Sequence, residues 1–296
     1  MRRALPSVLS VVTAIVICFV AAVVTRDLET ATDAFLAMLR GAFGNWPRYF
    51  DTGLSASVLR PLGESATKAA VLTFTGLSVA VAFRVGLFNI GAQGQLMVGA
   101  LAAAVVGAKL ELPAPLHLTA CLAAAAIGGA LWALGPALLK LKRGVHEVIS
   151  TIMLNWVAVS LIDNWLVAGP LRAVTSGNNS VSGTDQIHAS AVLPRLLGNL
   201  SRLNLGVLLA IIAAVATWLF LTRFTRGLEW RAIGHSPDAA RAAGINVDRG
   251  FLEAMLLSGA FAGLGGALLV LGTELKYPTS LGAPWGFDGI AMALIG

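Results

Sequence analysis

Long apolar segments, separated by short polar breaks, run along almost the whole chain. The first extends from about Ser7 to Val24 and follows Arg2 and Arg3. Seven more follow at about 65–83, 90–108, 118–139, 148–168, 205–221, 251–271 and from 286 onward. Segments of this length and apolarity cross a bilayer as helices. The pattern predicts an all-α polytopic membrane protein with about eight transmembrane helices in one domain, residues 1–296.

Composition supports the same class. Hydrophobic residues make up 57% of the chain and charged residues 12%, with a mean hydropathy of +0.80. This leaves too little polar surface to cover a soluble globule, so membrane lipid is the expected surrounding. The basic residues punctuate the apolar segments instead of forming a stripe among aromatics, and no nucleic-acid partner is expected. Cys18 and Cys121 both lie in apolar segments and indicate no disulfide framework.

The basic residues also predict topology. We interpret the first segment as a retained span with a cytoplasmic N-terminus, because no clear signal-peptidase site follows it. Strict alternation then places both Lys140–Arg143 and Arg223–Arg249 in the cytoplasm, as the positive-inside rule requires. Residues 26–64, with Trp46, Pro47, Tyr49 and Phe50, are typical of an interfacial or external amphipathic stretch. The chain ends inside an apolar segment, so we expect the native protein to continue with further spans.

One break between spans is unusually polar and rich in glycine. Residues 86–95 combine Gly86, Gly91 and Gly94 with amide side chains, and almost no loop separates the flanking spans. Backbone groups freed by such a break lack partners if they face lipid. We therefore expect the break to face protein or a water-filled path. The candidate path residues are Asn89, Gln93, Gln95 and Asn155, with backbone satisfaction or interhelical hydrogen bonds as the alternative.

Several other positions in or near the spans carry polar or very small residues. Glu147, Asp163, Asn164, Glu253 and Asp288 are weaker path candidates, since a carboxylate near a span end also reaches headgroup water. Small residues predict close helix packing at Gly128–Gly129 and at Gly259-x-x-x-Gly263.

The polar insert 223–249 contains a miniature helix with a start, a body and a stop. Ser236 suits the N-cap, Pro237 the first helical position, and Gly244 a left-handed C-terminal stop. Such a short helix is marginal alone, so something else must hold it. We expect it to dock onto a separate protein, with an ordinary capped turn as the alternative. The residues assigned to docking are Ser236, Pro237, Asp238, Ala239, Ala240, Arg241 and Gly244.

Motifs for catalysis and metal binding are absent from the sequence. It has no Gly-x-x-x-x-Gly-Lys-Ser/Thr loop, no Cys/His metal spacing and no nucleophile elbow. Its four histidines are scattered. We therefore expect a chain that is not an enzyme and that binds no metal or cofactor of its own.

Three motifs resemble those of permease subunits of bacterial ABC importers of the branched-chain amino acid and simple-sugar class, and most nearly the nucleoside permeases. They lie at Gly86–Gln95, Val145–Asn155 and Ala232–Asn246, and Gly286–Ala291 also fits. Gln93 stands where that group commonly has Glu, which puts a charge-based role there in doubt. The resemblance covers about residues 65–296.

The resemblance implies that the miniature helix is the coupling helix, seated in a groove of an ATP-hydrolysing subunit that carries ATP and Mg. It also implies a second permease, identical or homologous, and an extracytoplasmic binding protein or lipoprotein. The implied solute is a nucleoside, with simple sugars next, and the implied location is the bacterial cell membrane. Two alternatives remain: a secondary transporter driven by an ion gradient, whose broken helices also line midplane sites, and a membrane scaffold.

Overall fold

The computed structural model describes residues 5–46, 56–173, 183–279, 281 and 284–295. Of the predicted interfacial stretch, Pro47, Tyr49 and Phe50 lie outside these ranges. Within them the chain forms eleven α-helices: α1 Leu5–Thr25, α2 Leu28–Phe43, α3 Ala56–Arg84, α4 Ala92–Lys109, α5 Ala114–Arg143, α6 Glu147–Val159, α7 Leu205–Arg223, α8 Thr225–His235, α9 Pro237–Ala242, α10 Val247–Leu269 and α11 Trp285–Ile295. Two continue as π-helices, α6 through Ser160–Val167 and α10 through Val270–Glu274.

The all-α polytopic fold class is confirmed. Six helices, counted in the described part of the chain, are long and apolar enough to span a membrane: α1, α3, α5, α6, α7 and α10. The spans of α6 and α10 include their π-helical continuations. The two other predicted spans are also helical, as α4 and as the shorter α11. In α4, Gln93, Gln95 and Lys109 lower the mean hydropathy.

Contacts divide the chain into two compact units, of which the first comprises residues 1–68, 195–203 and 295–296. The rings of Phe19 in α1 and Phe35 in α2 pack edge to face, with centroids 5.0 Å apart. Asp27 caps α2 by accepting from the Thr30 nitrogen, and this bond lowers the pKa of its carboxyl. Ser65 in α3 donates to the Ala42 carbonyl at 2.8 Å.

The second unit comprises residues 69–194 and 204–294 and is built around α10. In the most apolar 18-residue window of α10 and its π-helical continuation, 72% of the residues are buried, against 28% in the corresponding window of α5, so α10 is the central helix. It packs on α4 and α5 through glycines. A Cβ on Gly129 would overlap the Gly259 carbonyl, and one on Gly99 would overlap Gly263. The packing predicted for Gly128–Gly129 and Gly259-x-x-x-Gly263 is therefore confirmed at Gly129, Gly259 and Gly263.

Residues 183–194 of the loop before α7 pack within the second unit. Three backbone nitrogens of this loop donate to the segment after α10: Thr184 to Tyr277, Ile187 to Leu275 and Leu193 to Leu271, each at 2.9 Å. Ala191 and Leu193 are buried. Residues 183–194 are thus part of the core of the second unit.

Candidate functional site

The break between α3 and α4 begins with a glycine cap. Gly86 has a φ of +79°, a conformation that glycine adopts without the steric cost of a side chain. The Gly86 nitrogen donates to the Phe83 carbonyl at 3.0 Å, and the Leu87 nitrogen donates to the Ala82 carbonyl at 3.0 Å. These two bonds form a Schellman motif. The break therefore ends α3 without leaving those carbonyls unpaired.

Asn89 holds the middle of the break through both ends of its amide. Its Nδ2 donates to Gln95 Oε1 at 2.8 Å and to Ser258 Oγ of α10 at 2.7 Å. Its Oδ1 accepts from the Gly91 nitrogen at 2.9 Å and from Gln95 Nε2 at 3.2 Å. The Ser258 hydroxyl in turn donates to the Ser78 carbonyl of α3 at 2.6 Å. A buried polar cluster thus joins α3, the break, α4 and α10.

Asn155 ties the same break to α6. Its Nδ2 donates to the Ile90 carbonyl and its Oδ1 accepts from the Gly94 nitrogen, each at 2.9 Å, and the residue is 4% exposed. These are backbone groups that the break removes from helical pairing. The contacts of Asn89, Gln95 and Asn155 favour the structural alternative, in which the amides satisfy the backbone. Their role in a solute path stays a prediction.

Gln93, the fourth predicted path residue, contacts the start of α11. Its side chain is half-buried, and its Oε1 accepts from the Gly286 nitrogen at 2.7 Å. Nitrogens in the first turn of a helix lack intrahelical partners, so Gln93 caps α11 from a distant part of the chain. A Cβ on Gly286 would overlap the Gln93 backbone, so this approach requires glycine.

The weaker path candidates lie in different surroundings. The Glu147 side chain is 8% exposed and accepts from Lys140 Nζ at 2.7 Å, so it pairs within the protein. Glu253 pairs with Arg249 at 2.7 Å. Tyr277 donates its hydroxyl to Asp163 at 3.3 Å, and burial together with that carboxylate raises the Tyr277 pKa well above its usual range. Asn164 and Asp288 are exposed.

The insert 223–249 contains two helices, of which the sequence indicated only the second, α9. Ser236 is its N-cap and accepts from the Ala239 nitrogen at 3.3 Å. Gly244 has a φ of +83° and donates to the Arg241 carbonyl, while the Ile245 nitrogen donates to the Ala240 carbonyl, each at 3.0 Å. The predicted start and stop are therefore confirmed. The stop is the same Schellman motif that ends α3.

Ala240 faces the interior of this chain. It is 3% exposed and packs in a buried cluster with residues of α3, the break, α8 and α10, among them Val81, Leu87, Ile233 and Met255. The helix is therefore held by its own chain through one inward alanine. Ala240 is buried in this chain, and the coupling role assigned to it stays a prediction.

The remaining surface of α9 is open. Pro237, Asp238, Ala239, Arg241 and Gly244 are exposed, and Ser236 is half-buried. Arg241 lies 3.4 Å from the Asp238 carboxylate and 3.6 Å from Asp248. Exposed pairs of this kind add little stability. The face consists mainly of small side chains, flanked by one ion-paired arginine.

The insert 223–249 and the start of the polar break are in contact through their backbones. A Cβ on Gly234 in α8 would overlap the Arg84 carbonyl and lie 3.3 Å from the Gly86 nitrogen. Sequence reasoning did not single out Gly234 as a contact, nor Ser258 and Ser78. The one signal for Ser258 was a polar residue beside the small-residue stripe of α10.

Comparison with known proteins gives a family and several relatives. Residues 62–296 match the family described as the permease component of branched-chain amino acid transport systems. The guanosine ABC transporter permease NupP of Bacillus subtilis is 43% identical over 241 residues, covering 79% of this chain and 67% of that protein. No solved structure matches the chain significantly.

Two further relatives carry different solute names. The glucose ABC transporter permease TsgB13 of Haloferax volcanii is 35% identical over 244 residues, 79% of this chain and 63% of that protein. The nucleoside ABC transporter permease NupB of Lactococcus lactis is 33% identical over 270 residues, 88% of this chain and 74% of that protein. The chain thus spans about two thirds to three quarters of the length of these three relatives.

Proposed function

Since the chain belongs to the family of branched-chain amino acid transport system permease components, we propose that it is the membrane-spanning subunit of an ATP-driven importer. The solute is small and polar, first a nucleoside and next a simple sugar. The names of the relatives support this order, because two refer to guanosine or nucleosides and one to glucose.

The observation that carries the proposal is the construction of α9. Ala240 and the glycine stop anchor the helix to its own chain, and small side chains such as Ala239 are left exposed at the surface. A helix that docks onto a partner needs both properties. Its buried side must be anchored, and the side chains on its exposed side must be small enough to allow close approach. In this function α9, with residues 223–249 around it, is the coupling helix that a separate ATPase subunit grips.

The partners follow from that role. A separate subunit binds ATP and Mg and hydrolyses the nucleotide, a second permease subunit completes the path, and an extracytoplasmic binding protein or lipoprotein delivers the solute. The complex lies in the bacterial cell membrane with the N-terminus of this chain in the cytoplasm. The path residues proposed at the sequence level were Asn89, Gln93, Gln95 and Asn155. Of these Gln93 is the least enclosed, which makes it the strongest remaining path candidate.

The test replaces exposed Ala239 by tryptophan. Ala239→Trp leaves the packed side of α9 untouched and blocks close approach from outside, so retention of the ATPase subunit and ATP-dependent guanosine uptake both fall. Ala34→Trp, at an exposed alanine of α2, is the matched control and retains both. Unchanged uptake in Ala239→Trp would refute the docking surface.

The ion-gradient alternative predicts a different pattern. Uptake would then survive loss of the ATPase subunit and collapse with an uncoupler, whereas the importer behaves in the opposite way. Binding measurements with a panel of nucleosides and sugars on the partner binding protein identify the solute, and exclusive sugar binding would reverse the order proposed here.

A further inference from the structure

Building on the proposed function, we infer that the break Gly86–Gln95 receives movement from the coupling segment, residues 223–249, and passes it to the spans. In this role Asn89 and Ser258 are positioning residues. They fix the break to α10 instead of meeting the solute.

The near end of the break is in contact with α8. Gly234 of α8 lies against the backbone of Arg84 and Gly86 with no side chain between them. Beside this contact, Leu87 shares a buried cluster with Ala240 of α9. Gly234, Arg84 and Gly86 lie at the surface, but a backbone-to-backbone contact has no side-chain rotamer that could change to absorb a small displacement. A shift of α8 and α9 therefore moves the start of the break.

The far end of the break is hydrogen-bonded to two helices, α6 and α10. Asn89 bonds to Ser258, and Asn155 of α6 bonds to the backbone of both Ile90 and Gly94. Each amide engages both its nitrogen and its oxygen within the protein. The break is thus fastened to α6 and α10 by directional bonds and has little freedom to move alone.

The contacts of the break with α8 and with α10 form a closed ring. Residues 225–247 run through α8 and α9 directly into α10, and Ser258 lies about three turns along that helix. From Ser258 the contacts return through Asn89 to Gly86 and so to Gly234. The coupling segment is therefore linked to the break at two separate points. A displacement of the segment cannot be taken up at one point without straining the other.

The experiment measures solute taken up per ATP hydrolysed. The complex of the full chain with its ATPase subunit and binding protein is reconstituted in liposomes, with guanosine as the probe. In Asn89→Ala and Ser258→Ala we expect the ATPase subunit to be retained within about twofold and the ratio to fall about tenfold. Thr217→Ala removes a buried hydroxyl that donates to the Ala213 carbonyl of its own helix α7, and it keeps the ratio of the unsubstituted protein.

Two further variants sharpen the result. If Asn89 and Ser258 act through their shared bond, the double variant loses no more coupling than either single variant. Ser78→Ala removes only the contact between the Ser78 and Ser258 hydroxyls, 3.1 Å apart, and leaves the bond from Asn89 to Ser258 in place. It gives a smaller loss of coupling in a protein that folds, should the stronger variants fail to do so.

The contrary outcomes are distinct. A raised KM for guanosine at an unchanged ratio would mean that the break lines the solute path, and an unchanged KM and ratio would mean that it has no role. Loss of the ATPase subunit would reduce its role to shaping the docking surface. Each of these overturns the inference. Failure of the proposed function would show earlier, in the unsubstituted complex, as uptake that needs no ATP, and both proposals would then fall together.

Discussion

Two regions of the second unit hold their helices in place by opposite means. Where α4, α5 and α10 meet, glycines bring whole backbones together, and Gly99, Gly129 and Gly263 have no room for a Cβ. In the coupling segment, α9 spans six residues and contributes one buried side chain, Ala240.

The difference shows that the glycine-packed helices form the rigid region, whereas α9 exposes a surface to a partner. Membrane helices gain no hydrophobic driving force from lipid, so close van der Waals packing must hold them, and a long glycine seam provides it. A two-turn helix gains too little from its own hydrogen bonds and needs caps and an anchor. With those supplied at few positions, the rest of its face stays free for a partner.

The largest effect is expected in the glycine seam. Gly129→Ala places a methyl against the Gly259 carbonyl and should lower stability by about 3 kcal/mol, a strong case of overpacking. The neighbouring Gly128→Ala, whose methyl would meet Ala102 at 3.3 Å, should be near neutral. Thermal unfolding in detergent compares the two. Equal losses would contradict the seam.

The next effect tests the anchor of α9. Ala240→Trp forces a large ring into a filled cluster and should cost about 2 kcal/mol, whereas exposed Ala239→Trp should change stability by less than about 0.5 kcal/mol. Hydrogen exchange of residues 237–247 measures the local loss. Should Ala239→Trp prove the more damaging for folding, the orientation of α9 described here is wrong.

A smaller effect is expected at the stop of α9. Gly244→Ala puts a Cβ on a residue with a φ of +83° and should cost about 1 kcal/mol of local stability. Gly244→Asn is the control, because asparagine tolerates the left-handed conformation better and should lose less. The same exchange measurement reads both variants, and equal losses would argue against a conformational cause.

The smallest effect is expected at the N-cap. Ser236→Ala removes a 3.3 Å bond at an exposed helix end and should cost about 0.5 kcal/mol, the lower end for cap substitutions. Ser236→Asp keeps an acceptor and should exchange like the unsubstituted protein. Faster exchange in the aspartate variant would show that the hydroxyl does more than cap.

Much of this architecture followed from local pattern. Spans appear as apolar runs, and each predicted span from 65 onward coincides with a helix. The cap at Ser236 and the stop at Gly244 depend on adjacent residues, so residue type alone predicted them correctly. The helix α8 was missed because Thr225–His235 mixes charged and apolar residues without a clear period.

The candidate site was less accessible from sequence. Asn89, Gln95 and Asn155 were singled out because an unpaired polar side chain at membrane depth is energetically unfavourable. That criterion does not identify the hydrogen-bond partner of each side chain. Asn89 finds Ser258, 169 positions away, and Gln93 finds Gly286, 193 positions away.

The sequence alone determined that this chain spans a membrane many times and that a capped two-turn helix interrupts its second half, because hydropathy and capping act over a few neighbouring residues. Only the tertiary structure decided that Ala240 faces inward and that Gly234 rests on the polar break. Burial of one methyl among equivalent alanines depends on which helices surround it, and no local propensity distinguishes Ala239 from Ala240. The direction in which the small helix presents its surface is therefore a property of the packed protein.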